Sequence, residues 1–389
     1  MKRHVERGIV RTVLQATASG RELIVEVNGK QELAFEESGV HHPLREGDEV
    51  LLNTTAVRLG LGSGGVHFVV VPLRHAEQDD ALLAVARSAG HIMKLRYTPL
   101  QRAVHAVEEQ DHPLHGLLHG RETLEGAQVV ICELHSMLPA VVMTLQHLFA
   151  QAGDPRCRIS YVMTDGAALP LAFSKTVSAL QGQGLLHGTV TVGHAYGGDL
   201  EAVNLYSGLL AARHAMRADC IVVAMGPGIV GTGSKFGHTG IEVGQAVNAV
   251  HTLGGSPIVV PRLSFADPRP RHRGLSHHTL TALGQVALAS AVVPLPDLEA
   301  EQNGQIFAQL TAANLHQKHR FVGVSGRSIL DATTSFQVPL KTMGRTLEED
   351  PAFFLAAGAA AEWAFRQIKR PPRHHSARSS TDALLADKN

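Results

Sequence analysis

From about residue 128 onward the chain alternates apolar runs of strand length with longer helical stretches, and this alternation constrains the fold more than any other feature. AQVVICELHS leads into MLPAVVMTLQHLFAQ, ISYVMTDG into LPLAFSKTVSALQ, and GTVTVGHAYGG into DLEAVNLYSGLLAARHA. CIVVAMGPG then leads into IEVGQAVNAVHTLG, SPIVVPRLS into HTLTALGQVALA, and IFAQLTAANLH precedes a last strand, HRFVGVSG. Unbroken Val and Ile runs lack the in–out alternation of a half-exposed sheet. Both faces must therefore be covered, and interleaved helices are the cover a parallel sheet uses. Asp, Ser or Gly at the helix starts and Gly at their ends supply the caps. A doubly wound, mostly parallel α/β sandwich is expected over residues 128–368.

Residues 1–75 follow a different rule. RGIVRTVL, RELIVEV, QELAFE, DEVLLN and GVHFVVVPL alternate in period two between short turns, and Asn28-Gly29 is a strong hairpin signal. A small β-barrel-like domain is expected there. Residues 76–127 form a connector, with a helix over EQDDALLAVARSAG and an edge strand over HIMKLRYTPL that sets Lys94, Arg96 and Thr98 on one face. Residues 369–389 are polar, contain Pro and Ser, and are expected to form a disordered tail.

Charge excludes some partners. Lys+Arg and Asp+Glu are both 35, so no net field favours nucleic acid or an anionic membrane. Over residues 1–80 there are 9 Lys+Arg against 12 Asp+Glu, with no aromatic stripe for stacking bases, so the barrel fits a structural or homo-oligomerising module better than a nucleic-acid face. No apolar run reaches membrane-spanning length. MKRHVERGIV carries charge where a secretory signal needs apolar residues. The three cysteines, Cys132, Cys157 and Cys220, lie at or in apolar strand-like runs rather than in a disulfide pattern, so a cytoplasmic, reducing location is expected.

Open parallel sheets bind ligands beyond the carboxyl ends of their strands. Those ends deliver Glu133, His135 and Ser136; Thr164 and Asp165; His194, Gly197, Gly198 and Asp199; Gly226–Gly240; Arg262 and Ser264; and Ser325 and Arg327. GPGIVGTGSKFGHTG, residues 226–240, is the leading candidate. Gly226, Gly228, Gly231, Gly233 and Gly237 would let the backbone cradle an anion before a helix N-terminus, with Ser234 and Lys235 adding a hydroxyl and a charge. It is neither a phosphate-binding GxxxxGK[ST] loop nor a dinucleotide fingerprint that opens its helix directly, and close packing would also account for the glycines. The second candidate, residues 262–279, carries Arg271 and Arg273, suited to clamping a phosphate or carboxylate, together with His277. A solvated basic loop is the alternative. Asp165, Asp199 and Asp267 are the acid/base candidates, and a helix cap would explain Asp199 equally well.

No cofactor motif is present, and HExxH, CxxC and GxSxG are absent. Adjacent His277 and His278 should diverge on a helix, which argues against shared metal ligation. Glu133 and His135 at a strand end keep a metal option open. With 24 His in the chain, a His doublet alone is weak evidence.

The segments GHIMKLRYTPLQ, YVMTDGAALPLAFS, GGDLEAVN, the Gly-rich run and RHRGLSHHT resemble a family of uncharacterised bacterial proteins of about this length, a domain of unknown function. The resemblance implies a bacterial origin and no activity. The residues themselves leave three readings: an enzyme on a small anionic metabolite, a non-catalytic sensor of such a ligand, and a structural protein. A perturbed carboxylate or His in the crevice would favour the first, a pocket without one the second, and a closed crevice the third.

Overall fold

The computed structural model describes residues 4–17, 20–38, 40–60, 65–73, 90–98, 100–154 and 157–368. It divides into two compact units, Met1–Ala89 with Ala172–Ser178, and Gly90–Leu171 with Ala179–Asn389. The expected connector helix falls almost wholly, and the expected tail entirely, outside the described residues.

In the first unit β1 (Val5–Thr17), β2 (Gly20–Val27), β3 (Lys30–Glu37), β4 (Glu49–Asn53) and β5 (Val66–Pro72) close a barrel in the order β1-β2-β3-β5-β4. Asn28 and Gly29 both take positive φ, 51° and 76°, and join β2 to β3 with Val27 opposite Lys30. Two left-handed residues give the turn a twist that matches the strands, which is why Asn-Gly serves there. Leu23, Val25 and Val27 point inward with Val10, Ala34, Leu44, Val50 and Leu52. Outside, Arg58 pairs with both Glu6 and Glu32, and Arg11 with Glu26.

The second unit begins with a hairpin of β6 (Ile92–Lys94) and β7 (Arg102–Val104). The expected longer edge strand is not formed. Leu95 and Tyr97 have φ of 51° and 61°, which ends the strand. Lys94, Arg96 and Thr98 therefore do not share a face. Lys94 is buried, pairing with Glu201 and donating to the carbonyls of Thr191 and Ala195, while Arg96 and Thr98 are exposed.

The remaining strands are β8 (Gln128–Cys132), β9 (Ile159–Thr164), β10 (Gly188–Thr191), β11 (Leu200–Glu201), β12 (Cys220–Met225), β13 (Ser256–Val260), the short pair β14 (Leu263–Ser264) and β15 (Gly274–Leu275), β16 (Val292–Pro296) and β17 (Arg320–Val324). Eight of them form one parallel sheet in the order β11-β10-β9-β12-β8-β13-β16-β17. On one face Val129, Ile131, Val162, Val190, Ile221 and Val223 pack against helices Leu205–Leu210, Glu242–Thr252 and the turn carrying Leu283. Their alternates, such as Val130 and Tyr161, point to the other face and are equally buried. Helices Leu138–Gln151 and Pro351–Gln367 pack together through Phe149 and Phe365. Burial on both sides explains the unbroken Val/Ile runs.

Candidate functional site

β8 and β12 are neighbours whose onward connections run to opposite sides. β8 leads through Leu138–Gln151 to β9, and β12 leads through Glu242–Thr252 to β13 on the far side of β8. The chain parts there, leaving a crevice beyond the strand ends, the usual ligand position in such sheets. Two groups of polar residues gather at that carboxyl edge.

The first is a cavity of about 210 Å³ lined by Thr164, Asp165, Gly193, Asn204, Glu242 and Gln245 over a floor that includes Ile131 and Val223. Glu242 stands in the first turn of its helix, and the Thr164 hydroxyl donates to its Oε1 at 2.7 Å. Burial raises the Glu242 carboxyl to about 7, the nearby Asp165 carboxylate adds to the rise, and the Thr164 hydrogen bond opposes it. Asp165 Oδ2 accepts the backbone N–H of His194 at 2.9 Å. A Cβ at residue 166 would run into the Glu242 carboxylate, and one at 193 into that of Asp165. Glycine at both positions makes room for the two acids.

The second group is a buried network rooted in Glu133, the residue after β8. Its Oε2 accepts the Thr279 hydroxyl at 2.8 Å, and its Oε1 lies 3.1 Å from His278 Nδ1 and 3.4 Å from an Arg262 nitrogen. Burial acts to raise this carboxyl, but the His278 hydrogen bond and the Arg262 charge outweigh it and hold the group below its ordinary value. The same Arg262 nitrogen lies 3.2 Å from His278 Nδ1; with Arg262 donating to Glu133, whose carboxylate only accepts, His278 also donates through Nδ1 and keeps its Nε2 lone pair. His238 stacks on His278, with centroids 3.8 Å apart and planes 7° apart. His277 lies 4.4 Å from His278 and 5.5 Å from His238, and His272 lies 5.0–5.1 Å from His278 and His277. Burial lowers the pKa of His238, that of His277 to about 4 and that of His272 to about 3, so all three are neutral at pH 7.

Several expectations are corrected. His277 and His278 do not diverge: their ring centroids lie 4.4 Å apart, because both pack against the His238 ring. Glu133 and His135 separate: β8 ends before them, and His135 instead contacts the Met225 carbonyl and the Tyr161 hydroxyl. Asp199 precedes the strand β11 rather than a helix, and accepts the Thr189 N–H and hydroxyl at 2.8 Å each. Asn204 caps the helix that follows. Asp267 is paired with Arg269 at 2.8 Å and lies 3.7 Å from Arg345 and 4.0 Å from Arg262. Despite a burial penalty, the hydrogen bonds from Arg269 and its charge hold it far below the usual carboxylate range, so it is a fixed anion and not a proton donor.

The Gly-rich run is not a cradle opening onto a helix. Thr232 N–H and hydroxyl bond the Gly237 carbonyl, closing a projecting turn with Gly233, Ser234 and Lys235 exposed. Gly226 is buried where a Cβ would strike the Ala168 carbonyl, Gly228 has a φ of 107°, and Gly231 faces His278. Arg271 and Arg273 are exposed on a segment fastened by Gln309, which bonds the Arg273 carbonyl and the Leu275 N–H. Of the residues named from sequence, Thr164 and Asp165 line the cavity, and Glu133, Arg262, His277 and His278 meet in the imidazole cluster. Glu242 and His238 were not named. Glu242 carried one available signal, a carboxylate in the first turn of the helix that ends the Gly-rich run.

No curated protein matches the chain, and no solved structure does. The family model described as Protein of unknown function (DUF3866) matches residues 34–361, which take in part of the barrel and the whole eight-stranded sheet, and the chain belongs to that family.

Proposed function

We propose that the chain is an enzyme performing acid–base chemistry on a small polar metabolite at the carboxyl edge of its parallel sheet. The observation that carries the proposal is the pair of carboxylates, Glu242 and Asp165, at one cavity, each given space by a glycine. A carboxyl that titrates near neutrality can both take and return a proton at pH 7, and the second carboxylate beside it can hold a hydroxyl or an amine. The cavity is acidic, so any anionic part of the metabolite belongs outside it, where Lys235, Arg271 and Arg273 are exposed cations. Asp199 and Asp267 have no place in this reading.

Cys132 and Cys220, buried and outside any disulfide, agree with a reducing, cytoplasmic setting in a bacterial cell. Among the described residues no helix is long and apolar enough to cross a membrane. The barrel is assigned to assembly, as a homo-oligomer or with a protein partner. The test is a thermal-shift screen against hydroxylated and phosphorylated metabolites, followed by turnover assays on each hit with the wild type, Glu242→Gln and Asp165→Asn. Loss of a positioned acid or base should lower turnover by roughly 10²–10⁴-fold while binding persists. A ligand turned over equally by both variants overturns the proposal. A ligand bound but never turned over by the wild type favours a sensor.

A further inference from the structure

Three imidazoles at the crevice present more nitrogen lone pairs than the protein satisfies. One ligand atom from each of His238, His277 and His278 lies within 4.8 Å of the others. His238 Nε2 donates to the Lys235 carbonyl at 3.1 Å, which leaves Nδ1 as the bare lone pair, and that atom is buried with no hydrogen-bond partner. His238 itself is 7% exposed. His277 Nε2 is likewise buried and unpartnered. His278 gives its Nδ1 proton to Glu133, which leaves Nε2 as its lone pair. A buried nitrogen without a partner carries its full desolvation penalty, so two together in one cluster call for an occupant.

We propose that His238, His277 and His278 bind a divalent transition-metal ion of the zinc class, with Glu133 orienting His278. Neutral imidazole is the form that ligates, and a carboxylate behind a ligating His fixes its tautomer and raises its basicity. Glu133 is buried, anchored by Thr279 and faced by Arg262, so its orientation is set before any ion arrives. The glycines have a matching role. A Cβ at Gly231 would lie 3.1 Å from His278 Nε2, and one at Gly240 3.1 Å from His238 Nδ1. The run that resembles an anion cradle in sequence thus gives space to imidazoles.

Imidazole lone pairs lie in the ring plane, and the His238 and His278 planes are only 7° apart, so both reach one ion only if His238, held by the Lys235 carbonyl alone, exchanges that bond for the ion and turns about its Cβ–Cγ bond. His277 already stands at 63° and 69° to them. Ligands on a tetrahedral ion at about 2.0 Å are about 3.3 Å apart, so the three nitrogens close in from their 4.8 Å span when the ion binds. Three histidines leave the fourth position for water or a ligand, the arrangement found in catalytic rather than structural zinc sites.

The test uses the full chain, stripped with chelator and titrated with Co²⁺ and Zn²⁺. Expected are visible Co²⁺ d–d bands saturating at one equivalent, displaced by Zn²⁺, and a zinc absorption-edge spectrum carrying imidazole scattering from about three histidines. His277→Ala should weaken binding at least about 100-fold, and Glu133→Gln about 10–100-fold, with circular dichroism showing both folded. Absence of saturable binding overturns the proposal, and so does unchanged affinity in His277→Ala, which would place the ion on other histidines of the chain. If Glu133→Gln fails to fold, the His277→Ala titration decides.

Discussion

Glu242 combines two opposing influences. A helix first turn favours a negative charge, but burial beside Asp165 disfavours it, and burial wins. Its carboxyl titrates at about 7 in the folded state against 4.5 as its ordinary value. The folded state therefore binds the proton more tightly, so the group stabilises the fold below pH 4.5 and that contribution is lost as pH rises through 7. Glu242→Gln keeps an oxygen for the Thr164 hydroxyl and removes the charge. Its melting temperature should exceed that of the wild type at pH 8 and converge with it by pH 5. A variant less stable than the wild type at pH 8 would show that the ionised carboxylate is satisfied, which would remove the case for a proton shuttle at this position.

Among the elements, glycines divide into those a neighbour requires and those none does. Gly358 in helix Pro351–Gln367 lies against the Gly326 carbonyl, and a Cβ there has nowhere to go. Gly358→Val should cost about 1–3 kcal/mol through overpacking, read from urea unfolding. Gly304 in helix Ala300–Ala312 is exposed with nothing near its missing Cβ, so Gly304→Ala should gain about 0.5–1 kcal/mol from backbone entropy. Equal effects from the two would contradict this packing. The elements also differ in how well they could be foreseen from sequence. The strands were legible because double burial selects Val and Ile, and Asn28-Gly29 marked its hairpin through the φ it needs. The strand at residues 92–98 was misjudged because the burial of Lys94 depends on Glu201, over a hundred positions away.

At the scale of the whole molecule, the crevice gathers neutral histidines. His135 titrates at about 4 and His272 at about 3 because burial disfavours their charged forms, against 6.5 as their ordinary value. The unfolded chain binds those protons more readily, so stability is full above pH 6.5 and drains as pH falls toward 4. Glu242 partly offsets the loss. Below about pH 4.5 protonation of Glu133 and Asp267, both held low when folded, adds to it. For the metal-free protein, urea midpoints at pH 7, 5.5 and 4.5 should fall progressively with an unchanged slope. A midpoint constant from pH 7 to 5 would mean that these rings are solvated.

The sequence by itself determined the barrel, the parallel sheet and the edge at which a site would lie, because these follow from local periodicity and from turn residues whose φ is their own property. Only the tertiary structure decided which side chains meet there. Glu242 joins Thr164 and Asp165, and His238 joins His278 and Glu133, across separations of up to 145 residues. The partners of a buried polar group depend on which strand ends become neighbours. That order is set by how the whole sheet winds, and no local pattern of residues encodes it.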